Sequence, residues 1–298
     1  MTKSVSTSVT SIYPWNYALQ LWHSRQQPTR PVIGMSWYNQ PVSATQLREY
    51  LTCCGLDVVE AFRAAEWSGY FENQLPPLFP LVMSFPLHTQ LLLSDHASQL
   101  AVWLRIVSCQ VRVNQALSPQ HSFDFSIHYY ASDSEFPWVR ILGYQLEQLV
   151  WECELAFSSS SKEVFPKEVV EQRQALLGQA TQSVESSYNV GRWYLHTTQA
   201  KAFSQLVRDF HPAHLSNVMA KCLGYQRATV NAVWLLSAAL SYLPLPRYPI
   251  QIQSYFPSPA YVDSVVELKA TQGPQGHDFR IVSAMTPRLA LGQLVALH

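Results

Sequence analysis

The sequence predicts an α+β fold in which one plan is used twice, an apolar helix followed by several antiparallel strands. Three observations carry this. Segments rich in β-branched and aromatic residues follow an apolar helical stretch in each half of the chain, and they often alternate in polarity. A serine run, Ser158 to Lys162, divides the halves. Helix and strand patterns come in blocks rather than alternating one for one, which argues against βαβ units. The expected architecture is a pseudo-dimer in one chain, two antiparallel sheets each wrapped around a central helix.

Residues 1–45 read as an irregular N-terminal segment containing Trp15, Trp22, Trp37 and several prolines. The first half, 46–160, opens on Ser43-Ala44-Thr45-Gln46, a helix cap, with the helix running through Leu47, Tyr50, Leu51 and Cys54 and closed by Gly55. A second apolar helix is expected from Met83 to Leu93, after Leu75-Pro76-Pro77-Leu78-Phe79-Pro80. Strands follow at Val102–Val113, Ser122–Tyr130, Trp138–Gln145 and Leu149–Phe157, separated by turn formers such as Ser118-Pro119 and Ser132-Asp133-Ser134.

Residues 161–190 are expected to be a linker with a polar helix over Lys167–Gln182. The second half, 191–298, then holds a short apolar segment, a small helix over Ser216–Leu223 ending at Gly224, a longer helix from about Asn231 to Leu243, and strands at Tyr248–Phe256, Tyr261–Thr271 and Asp278–Leu297. Gly273-Pro274-Gln275-Gly276 makes a turn between two of them.

Composition narrows the function classes. Of the 298 residues, 48% are hydrophobic and 12% aromatic, enough for a full core and roughly two domains, and not a disordered chain. Charged residues make up only 13%, with twenty basic and twenty acidic side chains, so no surplus of Lys and Arg marks a nucleic-acid or anionic-membrane binder. Met1 to Thr10 carry a lone Lys3 and no apolar core of signal-peptide length, and no uncharged apolar run reaches the ~18 residues of a membrane span, so a cytoplasmic location is expected. Five cysteines without CxxC spacing read as reduced, mostly buried thiols rather than a disulfide framework or a zinc site.

The most informative stretch is Arg208-Asp209-Phe210-His211-Pro212-Ala213-His214-Leu215. An acid and a histidine stand at a fixed short spacing, stiffened by proline, just before the apolar helix. A carboxylate and an imidazole in this arrangement can hold a water and move its protons. The generic alternatives are a helix-capping carboxylate and a structural histidine. His88 and His121 show no ligand spacing and read as structural, and Trp103, Trp138, Trp151 and Trp234 read as core.

The second half resembles the MaoC-like family, the R-specific enoyl-thioester hydratases and 3-hydroxyacyl-thioester dehydratases of double hot-dog fold. The residues that carry the resemblance are Val207 to His214, then Ala220-Lys221-Cys222-Leu223-Gly224-Tyr225, Thr229-Val230-Asn231-Ala232-Val233-Trp234, and Tyr255-Phe256-Pro257-Ser258-Pro259-Ala260-Tyr261-Val262. Leu75 to Pro80 and Ser84-Phe85-Pro86-Leu87-His88 resemble the non-catalytic half of the double members.

The resemblance implies that Asp209 and His214 hold one water, that the Ala232 amide stabilises the thioester oxygen, and that Arg208, His211, Asn231, Val233 and Trp234 are pocket or carrier contacts. It implies an acyl-CoA or acyl carrier protein thioester as substrate, carried by CoA or phosphopantetheine, with no metal and no redox cofactor. Arg192, Lys201, Arg208, Lys221 and Arg227 are the candidate basic rim for an acidic carrier protein.

The chain departs from the family pattern in three places. Arg208 replaces a glycine, whose place marks a φ > 0 turn or a close approach. His211 replaces an asparagine, and Asn231-Ala232 replaces His-Gly. These departures keep open a second class of function, an inactive double hot-dog acting as an acyl-thioester binder or scaffold partner. No nucleic-acid partner or membrane span is expected, and a monomer or a homodimer is compatible with the fold.

Overall fold

The computed structural model describes residues 33–55, 74–93, 105–130, 138–158, 187–209, 211–286 and 288–297. The first half contains β1 (Ile33–Gln40), α1 (Ala44–Cys53), α2 (Phe79–Leu93), β2 (Arg105–Val113), β3 (Phe123–Tyr130), β4 (Trp138–Gln145) and β5 (Gln148–Ser158). The second contains β6 (Tyr188–Tyr194), α3 (Thr197–Val207), α4 (Pro212–Leu215), α5 (Asn217–Cys222), α6 (Ala232–Leu240), β7 (Ile250–Tyr255), β8 (Val265–Gly273), β9 (Gly276–Ser283) and β10 (Ala290–Ala296).

Among the described residues, all strands belong to one ten-stranded antiparallel sheet in the order β1-β3-β4-β5-β2-β7-β10-β9-β8-β6. Read from each end inwards, both halves give the same order: first strand, third, fourth, fifth, second. The halves meet where β2 pairs with β7, from Ser108 opposite Tyr255 to Val113 opposite Ile250. The expectation of two separate sheets is therefore corrected to one sheet with a central seam. Two inward strands with unpaired edges satisfy their backbone groups by pairing with each other, which among the described residues leaves edges only at β1 and β6. Arg105 reinforces the seam, its guanidinium donating to the carbonyls of Phe256 at 2.7 Å and Pro257 at 2.9 Å.

Alternation sets which face is buried. Phe123, Phe125, Ile127 and Tyr129 of β3, and Val107, Cys109, Val111 and Val113 along β2, point into the core, while their neighbours are more exposed. Helices cover this inner face, with α1 packed on α3 and α2 on β1, β3 and α3. Trp151 is fully buried and donates its indole N–H to Pro77 O at 2.8 Å; Trp234 is equally buried and donates to Cys53 O at 2.6 Å, tying α6 to the end of α1. Trp138 instead stacks on Tyr130 and is half-buried; Trp103 lies outside the described residues. The five cysteines are free, four of them buried.

Several expectations need correction. β1 lies within the segment expected to be irregular, and β6 begins within the expected linker. The short apolar segment before Asp209 is the helix α3, and Asp278–Leu297 is two strands, β9 and β10, rather than one. The expected helix over Lys167–Gln182 lies outside the described residues. Helix α2 starts four residues early because Pro80 is tolerated in a first turn, where its missing N–H breaks no bond.

Candidate active site

The loop that carries the acid is set by how α3 ends. Arg208 has φ 55° and ψ 35°, and the Arg208 N–H bonds back to Gln205 O at 3.2 Å while the Asp209 N–H reaches Ser204 O at 2.9 Å. This is a Schellman closure with the left-handed residue at position 208. A glycine is the usual occupant there, which gives the physical reason for the residue that the family pattern prefers. The side chain of Arg208 is exposed and lines a separate groove with Trp37, Arg48 and Pro86. It is not at the cavity that Asp209 faces.

The turn after Asp209 caps itself. His211 is the N-cap of α4, its Nδ1 accepting from the Ala213 N–H at 3.2 Å, and Pro212 fills the first helical position. The His211 N–H donates to Asp209 Oδ1 at 3.0 Å. One turn later, His214 Nδ1 lies 3.0 Å from Thr229 O and 3.0 Å from Thr229 Oγ1. A carbonyl oxygen only accepts, so this bond assigns the proton of the neutral ring to Nδ1 and leaves a lone pair on Nε2. That Nε2 is 3.4 Å from Asp209 Oδ2.

Asn231 completes the acid's surroundings. Its Nδ2 donates to Asp209 Oδ2 at 2.5 Å, while its Oδ1 accepts from the N–H groups of Val233 at 2.8 Å and Trp234 at 3.4 Å as the N-cap of α6. One side chain thus fixes the carboxylate and the helix start together. The Ala232 N–H, at the first helical position, has no acceptor among the described residues. Burial alone would push the Asp209 carboxyl up. The facing His214 and His211 rings, the His211 amide and the Asn231 side chain outweigh it, so the group titrates below the ordinary aspartate value.

Asp209, His211, His214, Asn231 and Ala232 line one cavity of about 70 Å³. Val233 and Trp234, expected there, do not line it; they are buried in the core. Helical period explains the correction, because Leu235, three residues after Ala232, shares its face and takes that place. Phe256, Ser258, Pro259 and Ala260 line the same cavity, so the Phe-x-x-Pro segment does reach it.

The first half contributes a wall that sequence reasoning missed, formed by Phe85, His88, Arg105, Ile106 and Phe157. His88, read as a structural histidine, is buried with neither ring nitrogen bonded among the described residues. A usable signal exists in its spacing, since Phe85 and His88 stand three apart and share one face of α2. Of the proposed basic rim, Arg192 lies 3.8 Å from Glu267 across β6 and β8, and Arg227 sits over the Tyr261 ring. His121 does not line the cavity, and among the described residues no group of His, Cys, Asp and Glu side chains has the arrangement of a metal site.

No protein-family model matches this sequence, and no curated protein matches it. Solved structures do. HtdX of Mycobacterium tuberculosis aligns with a TM-score of 0.69 at 12% identity, over 89% of this chain and 100% of that one. A MaoC-like dehydratase from Phytophthora capsici aligns with a TM-score of 0.62 at 13% identity, over 91% and 96%. The chain has the fold of the MaoC-like dehydratases. A peroxisomal multifunctional enzyme type 2 from Drosophila melanogaster shares it, with a TM-score of 0.58 at 12% identity over 89% of this chain and 48% of that enzyme. The MaoC-like fold is an α+β hot-dog, and the low identities fit a divergent sequence. Among the described residues no helix is long and apolar enough to cross a membrane.

Proposed function

We propose that this protein is a divergent MaoC-like hydro-lyase that adds water to a 2-enoyl thioester, or removes it from a 3-hydroxyacyl thioester, with R specificity. The observation that carries the reading is the Asp209–His214 pair, 3.4 Å apart at the cavity that the first residue of α6, Ala232, also lines. The fold shared with MaoC-like dehydratases supports it.

In the hydration direction, a water held by the Asp209 carboxylate and His214 Nε2 attacks the β-carbon. Its proton passes to Nε2, whose lone pair is available because Nδ1 is committed to Thr229 O. The resulting imidazolium faces Asp209 and returns a proton to the α-carbon. Negative charge gathering on the thioester oxygen meets the Ala232 N–H at the start of α6, a fixed donor that need not reorganise. Dehydration runs the same steps backwards. The substrate is carried by CoA or an acyl carrier protein, and the seam through one continuous sheet supports a monomer.

Purified protein should hydrate a short 2-enoyl thioester with loss of enoyl absorbance. Asp209→Asn and His214→Ala should each lower kcat/KM by at least ~10²-fold while the fold persists by circular dichroism. No hydration across short and medium chains on either carrier would overturn the enzyme reading and leave an acyl-thioester binder.

A further inference from the structure

Among the described residues, His88 is the histidine with both ring nitrogens buried and unbonded. Its residue is 2% exposed, and neither Nδ1 nor Nε2 has a hydrogen-bond partner among the described residues. The ring is held rather than loose: it stacks on Phe157 at 5.4 Å between centroids with planes 13° apart, and Phe85 meets it edge-on at 5.5 Å. All three line the cavity that contains the Asp209–His214 pair. A buried donor and acceptor left unmade costs free energy that a phenylalanine in the same stack would not.

We propose that His88 is a substrate-contacting group that hydrogen-bonds an uncharged oxygen, keto or hydroxyl, on a short acyl chain. This deepens the hydro-lyase reading and rests on it for the acyl thioester. Size sets the chain. A cavity of about 70 Å³ is far below the ~300–1,000 Å³ of sites that enclose a drug-sized ligand, which favours a short acyl group beside the pair. Charge sets the substituent. Burial pushes the His88 ring down to about 4 against the weaker upward pull of the Asp209 carboxylate, so the ring is neutral near pH 7. A neutral imidazole offers one N–H and one lone pair, which suit an uncharged oxygen, whereas a carboxylate would lie unpaired next to Asp209. An unsubstituted alkyl chain would leave both ring nitrogens unmade.

The test uses non-hydrolysable amide analogues of acyl-pantetheine carrying pentanoyl, 4-oxopentanoyl or 4-hydroxypentanoyl groups, with affinity for the full-length protein measured by calorimetry. The oxygenated analogues should bind about three- to tenfold more tightly than pentanoyl, the range of one net hydrogen bond. His88→Phe should abolish that preference while keeping the stack, and His88→Gln, which retains a donor and an acceptor, should keep part of it. Equal affinities in the wild type, no binding of either oxygenated analogue, or a preference that survives in His88→Phe would overturn the proposal. Turnover is not read in this experiment. Failure of the hydration assay with an intact His88-dependent preference would sink the enzyme reading alone.

Discussion

The two halves share a strand order but hold the polar groups they bring to the cavity in opposite ways. In the second half, Asp209 receives the His211 N–H and Asn231 Nδ2, His214 is bonded to Thr229, and Asn231 also caps α6. In the first half, His88 sits on α2 with both ring nitrogens unmade among the described residues. A satisfied network fixes one geometry, because any displacement leaves a buried donor or acceptor exposed to the low-dielectric interior. An unsatisfied buried group calls for an explanation of its own, and for His88, which lines the cavity, the proposed one is a ligand. On the proposed reading, the second half supplies the chemistry and the first a selective wall.

The sharpest way to break the satisfied side is to change the sign of one partner. Asn231→Asp keeps a good N-cap for α6 but places a second carboxylate where Asp209 Oδ2 now accepts a hydrogen bond at 2.5 Å. Two carboxylates sharing a site raise the pKa of one, so Asp209 would lose its ionised state or the pair would share a proton. Hydration at pH 7 should fall at least ~10²-fold, and the acid limb of the kcat/KM profile should move upward. Asn231→Ser, with a cap and no charge, should lose less. A profile unchanged by Asn231→Asp would mean that Asn231 does not govern Asp209.

The unsatisfied side predicts a pH effect on stability. His88 titrates at about 4 in the folded protein, below its ordinary value of 6.5. As pH falls below 6.5 the unfolded chain binds a proton that the native ring refuses, so stability drops through the window from 6.5 to 4 and is unaffected by this group at higher pH. The loss amounts to about 3 kcal/mol by pH 4. His88→Phe cannot titrate. Urea unfolding at pH 7 and pH 4 should show the variant gaining about 3 kcal/mol on the wild type between the two conditions. Parallel losses in both proteins would show that His88 is not held neutral.

How much of this was legible follows the same physics. Strands β3 and β4 were readable almost to the residue because one face is buried, and burial imposes alternation on sequence. Strand β6 was not, since it is an edge strand with most of Tyr188–Tyr194 exposed or half-buried and carries no such pattern. The seam between β2 and β7 is a non-local pairing that no window of sequence encodes. At the site, the Asp209–His214 spacing was readable because a local turn makes it. Asn231 was read as a pocket or carrier contact and as a departure from the family's His-Gly but not as a cap, although an N-cap asparagine before an apolar helix is a sequence signal in its own right. His88 was missed because its partners, Phe85 and Phe157, make it look like core, and Asp209 comes to the same cavity only through the fold.

The smallest expected effect concerns Arg208, which separates the needs of the turn from those of the cavity. A non-glycine residue in the left-handed region carries a steric cost of roughly 1–2 kcal/mol, and Arg208 bears it at φ 55° while its side chain lines the outer groove instead of the Asp209 cavity. Arg208→Gly should remove that strain, against the greater chain entropy that glycine has when unfolded, for a net gain of about 1 kcal/mol or slightly less. The Schellman bonds to Gln205 and Ser204 use backbone atoms alone, so Asp209 should keep its position. Hydration rates within about twofold of wild type, with a raised urea midpoint, would fit an arginine that is incidental to catalysis. A tenfold loss in kcat/KM with stability gained would instead make the guanidinium a substrate or carrier contact reached from the groove.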